Sequence, residues 1–591
     1  MPLSSFPVGQ ITTKDLSDFQ ARGKGYLTGV SDGEYLYLGG GNDSFDVPRY
    51  NGLQARYKPS TGSISDRRAW EFFDTMSIAP QASGSEGIGF SGNYVYYSPA
   101  FGCVDASCSR GDFQGYIVRY NRTKPFTERA SWEGFDLMTI DSQLAGYSGV
   151  ISDGRYVYFM PSCNRAYRYD CPTHGNLVRY DTSKRFDLAS SYEFFDLRNI
   201  NSKAHGFNSG GVFDGRYIYL VPAYNISGYD NQKNLPTSYV AGTAVVRYDT
   251  QKPFGDVSSY QAVDVSQLNS LTGGYYGATF DGTYVYFSPN ARFVEPSSPR
   301  QVKSSLIARL NTKMDFTDPS AWSFYDIGFL SPNARGFMLP TFDGRSVYFS
   351  TIGNERKQAA LVARYDTQGD FASASSWTYH DWTDQLPEAR GSRGIVYVAG
   401  SLYTVPSWPD GAHASGLVMQ IPVSPSSSVD PSIIRDTKRI EDLAQIAKAL
   451  SLYFKDNGKY PGTYGTFFWI NENNYSGLLP CSTTPGGLKP YLPSVCSLND
   501  PQGYQYAYAK RSDGTYKLGA KFEQLVSKTK IFTYGDGKTI LQGGYYEYDI
   551  PVGFGSAGNS NASSQSNLAA ALISMQETLN KIQEILRNMA R

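Results

Sequence analysis

The strongest order in this chain is an alternation of large apolar and tyrosine residues that keeps returning behind the same tight turn. "FDGRYIYLVP" at 213–222 comes back as "FDGTYVYFSP" at 280–289. Alternation puts successive side chains on opposite faces of a strand, so these runs predict half-buried strands. The Asp-Gly pair supplies the positive φ that a short hairpin needs. It recurs as Asp32-Gly33, Asp153-Gly154, Asp214-Gly215, Asp281-Gly282 and Asp343-Gly344, with Ser91-Gly92 and Ala399-Gly400 as variants, at steps of 59, 62, 61, 67, 62 and 56 residues. Two further signatures travel with it. One is Arg56-Tyr57, Arg119-Tyr120, Arg179-Tyr180, Arg247-Tyr248, Arg309-Leu310 and Arg364-Tyr365; the other is an aromatic run ending in an acid, from "AWEFFD" to "SWTYHD".

Each unit thus reads as a small-residue strand, a turn, an aromatic strand, an "RYD" strand and an aromatic-acid strand. Four short antiparallel strands repeated in this way predict a mainly β fold, a seven-bladed β-propeller over residues 1–423. A β-solenoid would need shorter repeats. The seventh unit stops after "GLVMQIPVS" without its fourth strand, and the N-terminal "FPVGQITTKDLSDF" aligns with "YQAVDVSQLNSL". Phe6–Gln10 is therefore expected as the outer strand of the seventh blade, closing the ring and removing exposed edges. The Asp-Gly pairs and the aromatics read as structural.

Connections in such blades alternate between two faces. Asp-Gly turns share one face, and second-to-third-strand loops share the other. All the long insertions occupy the second position, following Leu38, Pro99, Pro161, Pro222 and Pro289. They are expected as loops without secondary structure of their own, and rigid loops crowding one face are how closed scaffolds present binding surfaces. Counting back from each turn gives Lys24, Ser83, Ala145, His205, Gly273, Arg335 and Arg390 as the entrances to the innermost strands, each just before a glycine. These should ring the channel mouth. Lys24, His205, Arg335 and Arg390 are the candidate ligand-binding set, suited to an anion such as a sugar carboxylate. Solvated rim residues with no ligand are the alternative.

Composition narrows the function classes. Lys+Arg and Asp+Glu both total 54, so net charge offers no argument for nucleic acid or an anionic membrane. No stretch of 18 apolar residues exists to span a bilayer, and no signal peptide is visible at the start. Six cysteines fall into local pairs, Cys103 with Cys108, Cys163 with Cys171 and Cys481 with Cys496. Short-range disulfides in an oxidising compartment are the simplest reading, with reduced thiols as the alternative. The four histidines, at 174, 205, 380 and 413, contain no H-x-x-x-H pair, so a histidine-rich metal site is not expected. No cofactor is implied beyond a candidate Ca²⁺ ligand at Asp230. "RGD" at 110–112 is too short to carry weight.

After a Ser/Pro linker at 424–431 the pattern changes. Ile440, Leu443, Ile446, Ala447, Leu450 and Phe454 recur at three and four, predicting a helix that ends at Asn457-Gly458 with Pro461 beyond. "GYQYAYAK", "RSDG" and "TYKLGAKFE" then predict a β-hairpin. The stretch "RDTKRIEDLAQIAKALSLYFKDNGKYP", followed by "YLPSVCSLNDPQGYQYAYAKRSDGTYKLGAKFE", resembles the soluble part of bacterial type IV pilins and type II secretion pseudopilins. The resemblance covers residues 432–550. It implies a small α+β domain with a helix on an antiparallel sheet, a disulfide that Cys481 and Cys496 would fit, and association with envelope components such as a pilus or secretion apparatus. The hydrophobic half-helix that anchors that family and drives its assembly is missing, so neither property carries over.

A flexible linker at 551–566 leads to a final segment, 567–591, in which Leu572, Met575, Leu579, Ile582, Leu586 and Met589 follow coiled-coil spacing. It predicts an amphipathic helix that makes a homo-oligomer. Docking of that helix on its own domain is the alternative.

Three functions suit these features. The first, favoured, is an extracellular or cell-surface binding protein, adhesin-like, reading a glycan or surface protein through the long-loop face. The second is a polysaccharide lyase or glycosidase at the channel mouth. There His205 or a channel tyrosine would act as base, and Arg335 or Arg390 would neutralise a uronate. The third is a structural subunit of a surface filament. Removing residues 556–591 is expected to lower the oligomeric state in size-exclusion light scattering, and an unchanged mass would discard the proposed helix pairing.

Overall fold

The computed structural model describes Phe6 and residues 8–423, apart from 42–50, 104–110, 164–172, 208–210, 231–234, 294–300, 354–356 and 411–412. Beyond 423 it describes Asp442, Ile446, 449–450, 452–461, 467–469, 487–492, Leu498, 506–510, 516–521 and 545–548. The chain divides into two units, Met1–Ser428 and Val429–Arg591.

In the first unit, seven four-stranded antiparallel sheets follow one another along the chain. Blade 1 is typical, with strands Tyr26–Ser31, Leu36–Gly40, Leu53–Tyr57 and Trp70–Asp74 paired in that order from the centre outward. The seven-bladed propeller read from the repeats is the fold. Three side-chain devices recur and explain why the repeats are written as they are.

The aspartate of each Asp-Gly turn is a clamp. Asp214 Oδ1 accepts from the backbone N–H of Arg216 (2.9 Å) and Tyr217 (2.7 Å), and its Oδ2 accepts from the Tyr219 hydroxyl (2.8 Å). Asp153, Asp281 and Asp343 repeat all three bonds, the hydroxyls coming from Tyr158, Tyr286 and Tyr348. The alternation of the second strand therefore follows from the turn, because the tyrosine five residues on must point back to the carboxylate. Such charge-assisted bonds contribute about 1.5–3 kcal/mol each.

The second device joins neighbouring blades. Arg119 lies over Tyr94 of its own blade (4.1 Å) and Phe186 of the next (4.4 Å). It donates to Glu133 (2.7 Å) and to the Tyr180 hydroxyl across the seam (3.1 Å). Arg56, Arg179, Arg247 and Arg309 are each held between a tyrosine and a phenylalanine in the same way. Glu133 is half exposed, so its ion pair adds little. The stacked, largely desolvated guanidinium contributes more, about 2 kcal/mol.

The third device anchors the outer strand. Its leading tryptophan or tyrosine is buried and donates to the carbonyl six residues earlier, as in Trp132 to Phe126 (2.8 Å) and Tyr192 to Phe186 (2.6 Å). The hydrophobic clusters extend from one blade into the next, so the core is continuous around the ring.

Closure occurs between the two ends of the unit, with a corrected register. The outer strand of blade 7 is Thr12–Asp15, with Thr12 opposite Gln420 and Asp15 opposite Leu417, rather than Phe6–Gln10. Asp15 caps the 3-10 turn Leu16–Asp18, as Asp264 caps Val265–Gln267 after the outer strand of blade 4, and that cap sets the alignment. Residues 8 and 9 make a bridge from Val8 to Val423 and a hydrogen bond from Gly9 N–H to the Pro422 carbonyl (2.8 Å). Phe6 takes a different part. It is 2% exposed, packs on Tyr348 and His380, and lies under Arg364. It supplies the ring that a phenylalanine of the following blade supplies at the five seams between blades 1 and 6.

The insertions are also more ordered than expected. Phe101–Cys103 with Gly111–Phe113, Tyr224–Asp230 with Leu235–Ala241, and Ala291–Phe293 with Gln301–Lys303 are two-stranded hairpins.

The second unit places helical residues Asp442, Ile446, Ala449, Leu450 and 452–457 before a four-stranded sheet of Phe467–Trp469, Ala507–Lys510, Tyr516–Lys521 and Tyr545–Tyr548. The helix ends at Gly458, with φ 67°, and the hairpin pairs Lys510 with Tyr516, both as expected. Buried Asp442 accepts from the Tyr506 hydroxyl at 2.6 Å. The final segment with Leu572, Met575, Leu579, Ile582, Leu586 and Met589 lies outside the described residues, as do both linkers.

Replacing Phe6 with Ala is expected to destabilise the propeller by about 3 kcal/mol, read as a lower denaturation midpoint. A loss below about 0.5 kcal/mol, the size of an ordinary surface substitution, would show that the ring closes without this residue.

Candidate functional site

Seven glycines in the left-handed region start the innermost strands: Gly25, Gly84, Gly146, Gly206, Gly274, Gly336 and Gly391, with φ between 64° and 76°. Only glycine fits. A Cβ on Gly146 would lie 1.5 Å from the Cys163 carbonyl oxygen, which belongs to the adjoining insertion. Lys24, Ser83, Ala145, His205, Gly273, Arg335 and Arg390 immediately precede these glycines, as read from the sequence.

Their side chains do not meet. Ser83 Oγ accepts from Cys103 N–H (2.9 Å), and His205 Nδ1 pairs with the Thr173 hydroxyl (2.5 Å). Arg335 reaches the Ser305 hydroxyl (3.4 Å), and Arg390 donates to the Thr383 carbonyl (2.6 Å) beside Asp384. Ala145 is buried, and Lys24 is half-buried with its carbonyl accepting from Asn51. These residues tie the links between blades to neighbouring segments. None of Lys24, His205, Arg335 and Arg390 is bonded to another.

The residue two places after each glycine is Leu27, Glu86, Ser148, Tyr276, Met338 or Arg393 among the described residues, and three of these, Glu86, Tyr276 and Arg393, meet across the axis. In blades 1, 2, 3 and 5 the strand register skips this residue, forming a bulge. A bulge leaves one residue unpaired and re-aims its side chain. Arg393 of blade 7 donates to the Tyr276 hydroxyl of blade 5, and its Nη1 lies 3.9 Å from Glu86 Oε1 of blade 2. No two of these blades are neighbours, so the contact crosses the axis. The guanidinium also lies 5.5 Å from the Tyr276 ring and 5.4 Å from the Trp408 ring. Burial pushes the Glu86 carboxyl above its ordinary value, and Arg393 pulls it back. Burial opposes the charge on Arg393, yet Tyr276, Glu86 and Tyr224 hold it above its usual range. Counting forward from the glycines, rather than back from the turns, would have found this cluster.

The three hairpins stand on the same face as these strand entrances. Among the described residues no group of three or more His, Cys, Asp or Glu is placed to hold a metal ion, and the Asp230 side chain lies outside that set. Cys103 and Cys163 are buried; Cys108, Cys171, Cys481 and Cys496 lie outside the described residues. Among the described residues, no helix is long and apolar enough to cross a membrane.

No protein-family model and no curated protein matches the chain. Among solved structures it is similar to the WD40 β-propeller domain of Doa1, at 7% identity and a TM-score of 0.36, covering 68% of this chain and 95% of that one. A likeness this distant carries no argument about activity or partners; the fold stands on the strand pairing.

Two histidines, His174 buried and His205 half-buried, give the ring a pH dependence. Burial lowers both His174 and His205 to about 4 from the ordinary 6.5. The unfolded chain therefore binds more protons between those values, and stability falls as pH drops through that window. Fully buried His174 accounts for about 3 kcal/mol of it. Denaturation midpoints at pH 7 and pH 4.5 are expected to show this loss, and His174→Gln should flatten the profile. An equal slope in the variant would assign the effect elsewhere.

Proposed function

We propose that this chain is an extracellular or cell-surface binding protein whose propeller recognises a glycan or a surface protein through its insertion face. The observation that supports this reading is the difference between the two faces. One carries the clamped Asp-Gly turns and the third-to-fourth-strand connections, which hold Lys124 and Lys313 and are much alike from blade to blade. The other gathers every long insertion, three of them folded as hairpins, around the axial cluster. Loops that vary on a rigid scaffold are where binding resides.

Disulfides Cys103–Cys108 and Cys163–Cys171 would stiffen two of these insertions, in keeping with an oxidising compartment. The helix and four-stranded sheet after the propeller are compatible with the pilin and pseudopilin resemblance, which supports display at the envelope and a disulfide between Cys481 and Cys496. The C-terminal heptads support a homo-oligomer, which would raise avidity for a repetitive surface. A paired-carboxylate glycosidase needs two acids at its centre. Among the described residues, the axial tier holds one, Glu86. Binding is therefore favoured over that chemistry.

The full-length protein should bind at least one class of ligand on a glycan and surface-protein array. Replacing residues 225–240 with a short Gly-Ser turn is expected to cut that binding at least tenfold. Lys124→Glu with Lys313→Glu, on the opposite face, should leave it within twofold. Equal losses from both changes would refute a face-specific role.

A further inference from the structure

We propose that the axial cluster around Arg393 binds the carboxylate of an acidic sugar, with Tyr276 forming a wall for the sugar ring. This rests on the glycan reading above and names the ligand class.

The argument begins with a contrast inside the protein. Arg309 reaches the Tyr365 hydroxyl (3.3 Å) and leaves its Nε buried without a hydrogen-bond partner, whereas Arg119 and Arg179 are matched, each placing two nitrogens on a glutamate, at distances of 2.6 to 3.0 Å, and reaching a tyrosine hydroxyl as well. Arg393 is not. Its side chain is 17% exposed, its one hydrogen bond goes to the Tyr276 hydroxyl, and Glu86 stands off at 3.9 Å. Its Nε is buried with no hydrogen-bond partner. A guanidinium offers five N–H donors in a planar fork, and buried donors left unmatched are costly. A carboxylate is the group whose two oxygens fit that fork together.

The surroundings specify more than an anion. The half-buried Tyr276 ring lies 5.5 Å from the guanidinium carbon, and the flat, partly apolar face of such a ring suits a sugar ring; buried Trp408 backs the guanidinium at 5.4 Å. The Tyr224 hydroxyl, from the blade 4 insertion, lies close enough to influence Arg393 and sits 3.4 Å from Ser162 Oγ. Burial pushes the Glu86 carboxyl above its ordinary value, which weakens its competition with an incoming carboxylate for Arg393. The titratable groups facing the guanidinium are therefore Glu86, Tyr276 and Tyr224, which leaves Arg393 the one fixed cation of this cluster among the described residues.

The test is calorimetric titration of the full-length protein with short oligosaccharides ending in glucuronate, galacturonate or N-acetylneuraminate, each beside its methyl ester. At least one acid is expected to bind ten times more tightly than its ester. Arg393→Gln should abolish that preference, while Glu86→Gln should leave acid binding within threefold or tighten it. Should Arg393→Gln fail to fold by circular dichroism, Arg393→Lys keeps the charge but loses the fork, and should bring the preference below threefold. The inference is overturned if no acid is preferred over its ester, or if the preference survives in the Arg393 variant. Neutral glycans captured by the array without acid preference would overturn it while leaving the binding function intact.

Discussion

An arginine pressed between two aromatic rings, one from its own blade and one from the next, is the contact on which this ring depends. Neighbouring sheets meet through backbone hydrogen bonds at their inner strands, as from Phe337 N–H to the Pro289 carbonyl (2.8 Å) and from Tyr275 N–H to the Pro222 carbonyl (3.0 Å), and side chains brace the angle between them farther from the axis. Arg56, Arg119, Arg179, Arg247 and Arg309 do this five times over. At Arg56, Arg119 and Arg179 the cation cannot be replaced by an apolar residue of similar length without losing the bonds to glutamate and to the tyrosine across the seam. Everything described on the insertion face is held in place by this frame.

The frame also explains how labour is divided between the faces. Carboxylates of the Asp-Gly turns bind their own strand so fully that little is left to vary there. On the other face, the left-handed glycines bring the inner strand into contact with the root of its own blade's insertion, as Gly206 does with Tyr224, whose carbonyl a Cβ would meet at 1.8 Å. Insertions are thereby seated against the axis at their base while their tips remain open to change.

Much of the propeller was legible from residues alone, because the turn, the aromatic alternation and the arginine recur at fixed spacing. The rim glycines were found in all seven blades for the same reason. The closing strand was misplaced because "FPVGQ" was aligned with "YQAVD", whereas Asp15, which caps the turn after the strand, is the counterpart of Asp264. The hairpins in the insertions escaped notice since their sequences, "AYNISGYDNQKNLPTSYVAG" among them, show no clean alternation. Glu86, Tyr276 and Arg393 lie far apart in sequence and share only their distance from a glycine, a relation that acquires meaning once the bulge is seen.

The latch between the chain's start and the seventh sheet has a consequence for how the molecule is made. Thr12–Asp15 emerge from the ribosome early, yet their partner Leu417–Pro422 follows roughly 400 residues later, a very long-range pairing of the kind that slows folding. Throughout that interval the growing stack of sheets keeps an open flank that other strands can join. Synthesis of this protein therefore includes a long vulnerable phase that ends in one late stitch, and cells producing it would need to guard that flank.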